Sequence, residues 1–324
     1  MIPLPEADRL AVASLRSFCL VYEKQSYSAA ARAQGLSVPT VWAQVQLVAR
    51  QYQVALFQRR GRRVEPTAAA EALYAVLRPL LATLDSTFEL VQDSQQVQPR
   101  TITVVSGARL LLEDLGPPLA RFCQLFPQVR LRLVHHNDGL AASLVATGEA
   151  DVALTLQPLR DVGEPRVRIE RAFPIEFLAI FPRRHPLARR ARLTLEDLLA
   201  YPLVVGHSGT FSRQLFEQAL YRRGLGHLPR IVAETDSSAF TAACVRAGMG
   251  VGLIAGRPDG FLCQGLASRS LREELGEAWI VFLLQRGKLP SRPLEALIEA
   301  IRGRARPTQQ RRPRNGPSPT PLRQ

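Results

Sequence analysis

Four cysteines in 324 residues, none in a CxxC spacing, argue against a disulfide frame or a thiolate metal centre. Cys19, Cys123, Cys244 and Cys263 lie far apart and read as buried, reduced thiols. No apolar run approaches the roughly 18 residues of a membrane span. Glu6, Asp8 and Arg9 precede the first apolar stretch, the wrong order for a signal peptide. The expectation is a cytoplasmic chain with no membrane partner. Lysine is almost missing: of 42 basic residues only Lys24 and Lys288 are lysines, so part of the arginine content is compositional bias. A catalytic set is missing too. His135 and His136 are neighbours on a strand and point to opposite faces, so they cannot chelate together. His207 has no acid and nucleophile arranged with it, and nothing activates Cys244 or Cys263 as a redox pair. Gly248, Gly250 and Gly252 follow a helix and precede a strand, the reverse of a dinucleotide fingerprint. Neither a cofactor nor an enzymatic activity is expected.

What is present is positive charge, unevenly placed. Residues 1–66 hold nine basic residues against four acidic, and 302–324 hold seven arginines and no acid. The long middle, 67–301, is nearly balanced, with 26 against 24. A basic head on a neutral body suggests a polyanionic partner. The Pro-, Gln- and Arg-rich segment from about 303 to 324 reads as a disordered basic tail.

The head has the punctuation of a helix-turn-helix. Leu15, Phe18, Cys19 and Tyr22 recur at helical spacing over Asp8–Lys24. Ser28 is placed to cap a short alanine-rich helix through Gln34, whose small residues allow close crossing. Gly35 permits a positive φ at the turn, and Leu36 is expected to plug the angle between helices. Ser37 caps a third helix with Pro39 in its first turn and Val41, Val45 and Val48 as its inward stripe. Such a second helix enters the major groove. Then Phe57-Gln58-Arg59-Arg60-Gly61-Arg62-Arg63-Val64 brackets one glycine with four arginines, a pattern suited to a β-wing against phosphates or a narrow minor groove. The candidate DNA-binding set is Ser28, Ser37, Val38, Pro39, Thr40, Trp42, Gln44, Arg59, Arg60, Arg62 and Arg63, with Thr40 and Gln44 as base contacts. Trp42 either stacks on sugar or a thymine methyl, or packs inside.

From Pro66 to about Val91 a helical pattern sets Leu73, Val76, Leu77, Leu80, Leu81, Leu84, Phe88 and Val91 along one side, a long apolar seam. Gln92 to Pro99 is the expected hinge. Beyond it, strands at Thr101–Val105, Val129–Leu133 and Val152–Leu156 alternate with helices, the order of a parallel sheet. A second block has strands near Val167–Phe173, Glu176–Phe181, Leu203–Val205, Ile231–Thr235 and Val251–Ile254, with helices Phe211–Arg223 and Ser237–Ala247. The strand Ala278–Leu284 and the helix Pro293–Arg302 are expected to return to the first block.

The fold class is thus α plus α/β: an N-terminal winged helix-turn-helix (8–67), a long linker helix and hinge (68–99), and a C-terminal two-lobed α/β effector domain (100–302) like a periplasmic binding protein. Lobe I spans about 100–160 and 266–302, and lobe II about 161–265. A ligand is expected where strand ends meet helix N-termini. The candidates are Ser106, Gly107, His207, Ser208, Thr210, Thr235 and Asp236. The uncharged donors suit a small carboxylate or similar polar metabolite, whereas Asp236 opposes a simple anion unless an amine or cation accompanies it.

The chain resembles the LysR-type transcriptional regulators. The residues carrying the resemblance are Leu15-x-x-Phe18, Ser26-Tyr27-Ser28-x-Ala30-Ala31, Leu36-Ser37-x-Pro39-Thr40-Val41, Leu56-Phe57-x-Arg59 and Gly61-Arg62-x-Val64-x-Pro66-Thr67. It continues through Leu119-x-x-Phe122-x-x-x-Phe126-Pro127-x-Val129, Gly148-Glu149-x-Asp151-Val152-Ala153, His185-Pro186-Leu187-Ala188, Asp197-Leu198-x-x-x-Pro202 and Val245-x-Ala247-Gly248-x-Gly250-Val251-Gly252. The resemblance implies a sequence-specific DNA-binding regulator that senses a small molecule and pairs its subunits through the linker helix, as a homodimer or homotetramer on double-stranded DNA. The chain departs from the family at Val38, Trp42, Ala43 and Ala49, where polar, basic or acidic residues are common. Two other readings remain: a solute-binding or enzymatic α/β protein with an incidental basic head, and a degenerate regulator with weak non-specific DNA binding.

Overall fold

A computed structural model describes residues 11–60, 63–94, 101–136, 138–157, 164–226 and 229–303. Arg62, most of the expected hinge and the basic tail from residue 304 lie outside the described residues, as do the side chains of Arg59, Arg60 and Arg63.

Three helices open the chain: α1 (Val12–Lys24), α2 (Tyr27–Gln34) and α3 (Val38–Tyr52). The cap of α2 is Ser26, whose hydroxyl accepts from Ala29 N at 3.2 Å; Ser28 therefore sits inside the first turn, exposed, and is not the cap. Gly35 takes φ 65°, a left-handed conformation that residues with a Cβ rarely adopt. Leu36 is 40% exposed and does not plug the helix crossing. That role falls to Ala30, Ala31, Val41, Val45 and Val48, packed on Phe18 and Val21 of α1. An antiparallel pair follows, β1 (Phe57–Arg60) and β2 (Arg63–Pro66), registered Phe57 to Pro66 and Arg60 to Arg63. Phe57 anchors this wing against Phe18, ring centroids 5.8 Å apart, and edge-on to Tyr27 at 6.1 Å.

The linker helix α4 (Ala68–Ser94) is 27 residues, about 40 Å at 1.5 Å per residue. Thr67 starts it: its hydroxyl donates to Ala55 O at 2.7 Å and accepts from Ala70 N at 3.2 Å, clipping wing to helix. The helix buries Tyr74, Leu77 and Leu81 against the head and leaves Val76, Leu80, Leu84 and Phe88 exposed. The apolar seam of the sequence is thus two faces, one already covered.

The C-terminal part is built on nine strands: β3 (Thr101–Ser106), β4 (Arg130–His135), β5 (Val152–Leu156), β6 (Val167–Pro182), β7 (Leu203–Gly206), β8 (Ile231–Thr235), β9 (Val251–Gly256), β10 (Leu266–Ser270) and β11 (Ala278–Gln285). Their order is β4-β3-β5-β11-β6-β9-β7-β8, with β10 on β6. β3 lies parallel to β4 and β5, and β7 parallel to β8 and β9, so each lobe has a parallel core. Two expected strands prove to be one. β6 runs unbroken through Pro174, pairing β11 along Val167–Ile175 and β9 along Glu176–Ile180. β10 pairs Leu178–Pro182 of the second half, which corrects its expected assignment to lobe I.

Helices cover both faces: α5 (Ala108–Glu113), α6 (Gly116–Leu125), α7 (Asp138–Thr147), α8 (Leu195–Leu199), α9 (Phe211–Arg222), α10 (Ser238–Arg246), α11 (Arg272–Leu275) and α12 (Arg292–Gly303). Two helices, not one, separate β3 from β4, with the break at Asp114 and a restart at Gly116-Pro117-Pro118. The largest core runs from Ile102, Phe122 and Phe282 in one lobe to Phe177, Phe181 and Phe216 in the other. Of the four cysteines, Cys19 and Cys263 are buried, but Cys244 is half-buried and Cys123 exposed, correcting the expectation that all are inside. Among the described residues no helix is long and apolar enough to cross a membrane.

Candidate nucleic-acid interface and ligand cleft

The face of the head that α3 offers to a partner is set by what α3 buries. Val41, Val45 and Val48 point inward. Ser37, Val38, Pro39, Thr40, Trp42 and Ala43, in the first two turns, are exposed. Trp42 is 54% exposed, so of the two readings of this residue the one that packs it inside is excluded. Ser37 caps the helix through Thr40 N, 3.2 Å, and its Oγ lies 2.7 Å from Thr40 Oγ1. Gln44 is not on the outward face. Its carboxamide sits 2.5 Å from Ser17 Oγ, a fully buried hydroxyl that also meets Gln34 at 2.8 Å. One hydroxyl proton cannot serve two carbonyls, so one of these glutamines turns its NH2 to Ser17. Ser17 therefore ties the three helices together through Gln34 and Gln44, and this tie to α1 corrects the assignment of Gln44 as a base contact. No acidic residue occurs from Tyr27 to Tyr52, whereas Arg32 and Arg50 are exposed there.

The head is fixed to the rest of the chain by charge. Tyr74 donates to Glu23 Oε1 at 2.8 Å and Arg78 Nε to the same oxygen at 3.2 Å. Arg166, just before β6, reaches Glu23 at 3.9 Å. Burial and the Glu23 carboxylate push the Tyr74 phenol up. Arg16 and Asp85 pair α1 with α4. On its other side α4 meets the loop after β11: Thr83 Oγ1 donates to Gly287 O at 2.5 Å, and Leu289 N donates to Ser86 Oγ at 3.2 Å. Gly287 has φ 82°, and a Cβ there would lie 2.1 Å from Pro79 O, so no other residue fits this approach.

Between the two lobes lies a cleft of about 200 Å³. Of the expected residues, Gly107, His207, Thr210, Thr235 and Asp236 line it. Ser106 does not; it is 1% exposed. Ser208 is exposed outside the cleft. Thr210 caps α9, donating to His207 O at 2.8 Å, and Thr235 Oγ1 lies 2.7 Å from Thr241 Oγ1. Ser237 caps α10. The N-termini of α9 and α10 thus open on one cavity, where free N–H groups favour negative charge. Sequence reasoning missed Arg109, His135 and His136, which also line it. The two histidines were legible in principle, because they end a strand parallel to β3 and so share its carboxyl edge.

Arg109 is 6% exposed and donates to Asp114 Oδ2 at 2.6 Å, with Glu113 Oε2 at 3.5 Å. The other oxygen of Glu113 accepts from Leu262 N in lobe II at 2.7 Å. The wall of the cleft is therefore continuous with a lobe-to-lobe tie. A larger hollow of about 470 Å³ lies elsewhere, beside Pro174 and Pro258. Its arginines are matched, Arg257 with Asp259 and Arg272 with Glu277. Among the described residues no cluster of three or more His, Cys, Asp or Glu is placed to hold a metal ion.

With this geometry, residues 95–306 match the family model described as LysR substrate binding domain. Residues 12–71 match that of the bacterial regulatory helix-turn-helix protein, lysR family. The chain is 27% identical over 238 residues to the HTH-type transcriptional regulator cbl of Escherichia coli (strain K12), covering 73% of this chain and 74% of the relative. It is 29% identical over 242 residues to the HTH-type transcriptional regulator CbbR of Xanthobacter flavus, covering 74% and 71%. Among solved structures, the cofactor-binding domain of the Cbl transcriptional regulator superposes with a TM-score of 0.57 at 26% identity, over 63% of this chain and 89% of that one. Full-length CbnR complexed with target DNA shares the fold, with a TM-score of 0.52 at 19% identity over 90% and 99%.

Proposed function

The chain belongs to the LysR family of transcriptional regulators, and on that premise we propose how its two sites divide the work. It is a DNA-binding transcription regulator with an effector-binding domain, not an enzyme; members of the family bind DNA and small-molecule effectors and form oligomers. In this reading the first two turns of α3 lie in the major groove, and the wing arginines Arg59, Arg60, Arg62 and Arg63 hold phosphate or the minor-groove edge. The effector sits in the interlobe cleft against Gly107, His207, Thr210, Thr235 and Asp236. The helix N-termini there favour a small carboxylate, and Asp236 favours one that also carries an amine. The stripe Val76, Leu80, Leu84 and Phe88 of α4 joins two subunits as a homodimer, which sets two readers on one duplex. The chain then works beside the chromosome, in the cytoplasm.

The observation that carries this reading is the pairing, in one chain, of an acid-free, outward-facing recognition helix with an interlobe cleft onto which two helix N-termini open. The DNA half is tested by the salt dependence of duplex binding. Arg62→Ala is expected to weaken all sequences alike and to flatten the slope of log K against log salt by about 0.9 per lost phosphate contact; an unchanged slope removes Arg62 from the interface. The cleft half is tested by thermal shift of the full chain with small amino and hydroxy carboxylates. A stabiliser lost in Thr210→Val supports it, and one that stabilises both proteins equally sits elsewhere.

A further inference from the structure

The reading face of α3 has few hydrogen-bonding groups left to offer. Gln44 is held by Ser17, and the Thr40 hydroxyl lies against Ser37 Oγ. Pro39 and Ala43 have no polar side-chain atom. What projects is mostly apolar: Val38 is 42% exposed, Trp42 54%, and Leu36 in the preceding turn 40%, the indole N–H of Trp42 being the one polar group among them. An apolar patch this close to a helix N-terminus is an ordinary protein contact unless its surroundings say otherwise. Here they do. Every charged residue on α2 and α3 is an arginine, Arg32 and Arg50, and the wing adds four more. The complement of an apolar patch on helices whose only charged residues are cations is a polyanion that also carries apolar groups. In a duplex major groove, base edges supply one such group, the C5-methyl of thymine.

We infer that Val38 and Trp42 read thymine methyl groups in the major groove, so that sequence selectivity comes from apolar contact more than from hydrogen bonds to base edges. The inference rests on the DNA-binding reading of α3. It also accounts for the departure of this helix from the polar residues common in the family. Uracil gives a clean probe, because it keeps every donor and acceptor of thymine and lacks only the methyl.

The experiment uses the full chain. The best-bound duplex is selected from a random pool, and each thymine in it is then replaced in turn by uracil. Contacted positions are expected to lose about fourfold in affinity per methyl, the worth of one buried carbon. Trp42→Ala, at an exposed position and therefore expected to fold, should bind about tenfold more weakly and should no longer distinguish thymine from uracil at its own position. Val38→Ala should do the same at a neighbouring one. Selective binding by the wild type that is blind to uracil at every position overturns the inference and leaves the DNA-binding reading standing. Discrimination retained in both variants overturns it as well. A change of oligomeric state in Trp42→Ala without any uracil effect assigns the patch to protein contact. No binding to any duplex at about 50 mM salt overturns the underlying reading and this inference with it.

Discussion

Replacing Arg109 by methionine removes a charge but keeps most of the side-chain volume, so the cost falls on the carboxylates left behind. The guanidinium is 2.6 Å from Asp114, and the two side chains are 7% and 0% exposed. Glu113, 1% exposed, lies 3.5 Å away. Taking away this directly bonded cation leaves buried carboxylates undercompensated, which costs about 3–5 kcal/mol, far more than losing a surface pair. In a domain of this size each kcal/mol moves the melting temperature by about 2–4 °C, so the full chain should melt about 6–20 °C lower. Urea unfolding and thermal melts read this directly. Asp114→Asn in the same chain should recover part of the loss, because the partner charge is then absent, and the double-mutant cycle isolates the coupling. A drop under about 2 °C, the size expected of a solvated pair, would refute the claim that this pair is dry and structural.

Gly287→Ala forces a Cβ into the backbone at Pro79 and a left-handed φ on alanine; the loop should lift from α4, with faster amide exchange at Leu289 and no change at Leu203. The Cys19 thiol, pushed up to about 12 by burial, should carry roughly one thiolate in 10⁴ at pH 8. Exposed Cys123 should therefore take an alkylating reagent first, with Cys19 labelled only after unfolding; equal rates would contradict the packing of α1. Arg166 holds the Glu164 carboxyl below its ordinary value near 4.5. A depressed folded value stabilises the fold above the unfolded value and loses that stability as pH falls through the folded one, so Glu164→Gln should flatten the acid limb below about pH 4.5. The variant should be a few tenths of a kcal/mol less stable than the wild type at about pH 6 and above, as expected of a partly solvated pair, and the difference should vanish as pH falls through the acid limb.

Much of the head was legible because its signals are local. Gly35, Ser37 and Pro39 each fix a backbone feature within a few residues, and the valine stripe of α3 follows from helical period alone. Ser28 lost the cap to Ser26 two residues earlier, a shift that spacing cannot resolve. β6 was split at Pro174 because proline reads as a strand breaker. It is tolerated here beside the point where the strand leaves β11 for β9, at a ladder position needing no continued donor. Arg109 was overlooked because a single arginine among leucines reads as a solvated position, and its burial depends on the helix break at Asp114. Gln44 shows the same limit: helical angle alone does not reveal that Ser17, 27 residues away, claims its carboxamide. In the cleft, sequence identified the strand-to-helix junctions but not which side chain at each one turns inward, so Ser106 and Ser208 drop out while His135 and His136 enter.

Hydroxyl-radical footprinting of the full chain on its selected duplex, with and without a cleft stabiliser, tests the account most directly. The account predicts two protected backbone stretches on one face of the helix, with an extent that changes when the cleft is filled and does not change in Thr210→Val. Uniform or absent protection at low ionic strength, or a footprint indifferent to the ligand that binds the cleft, would contradict it.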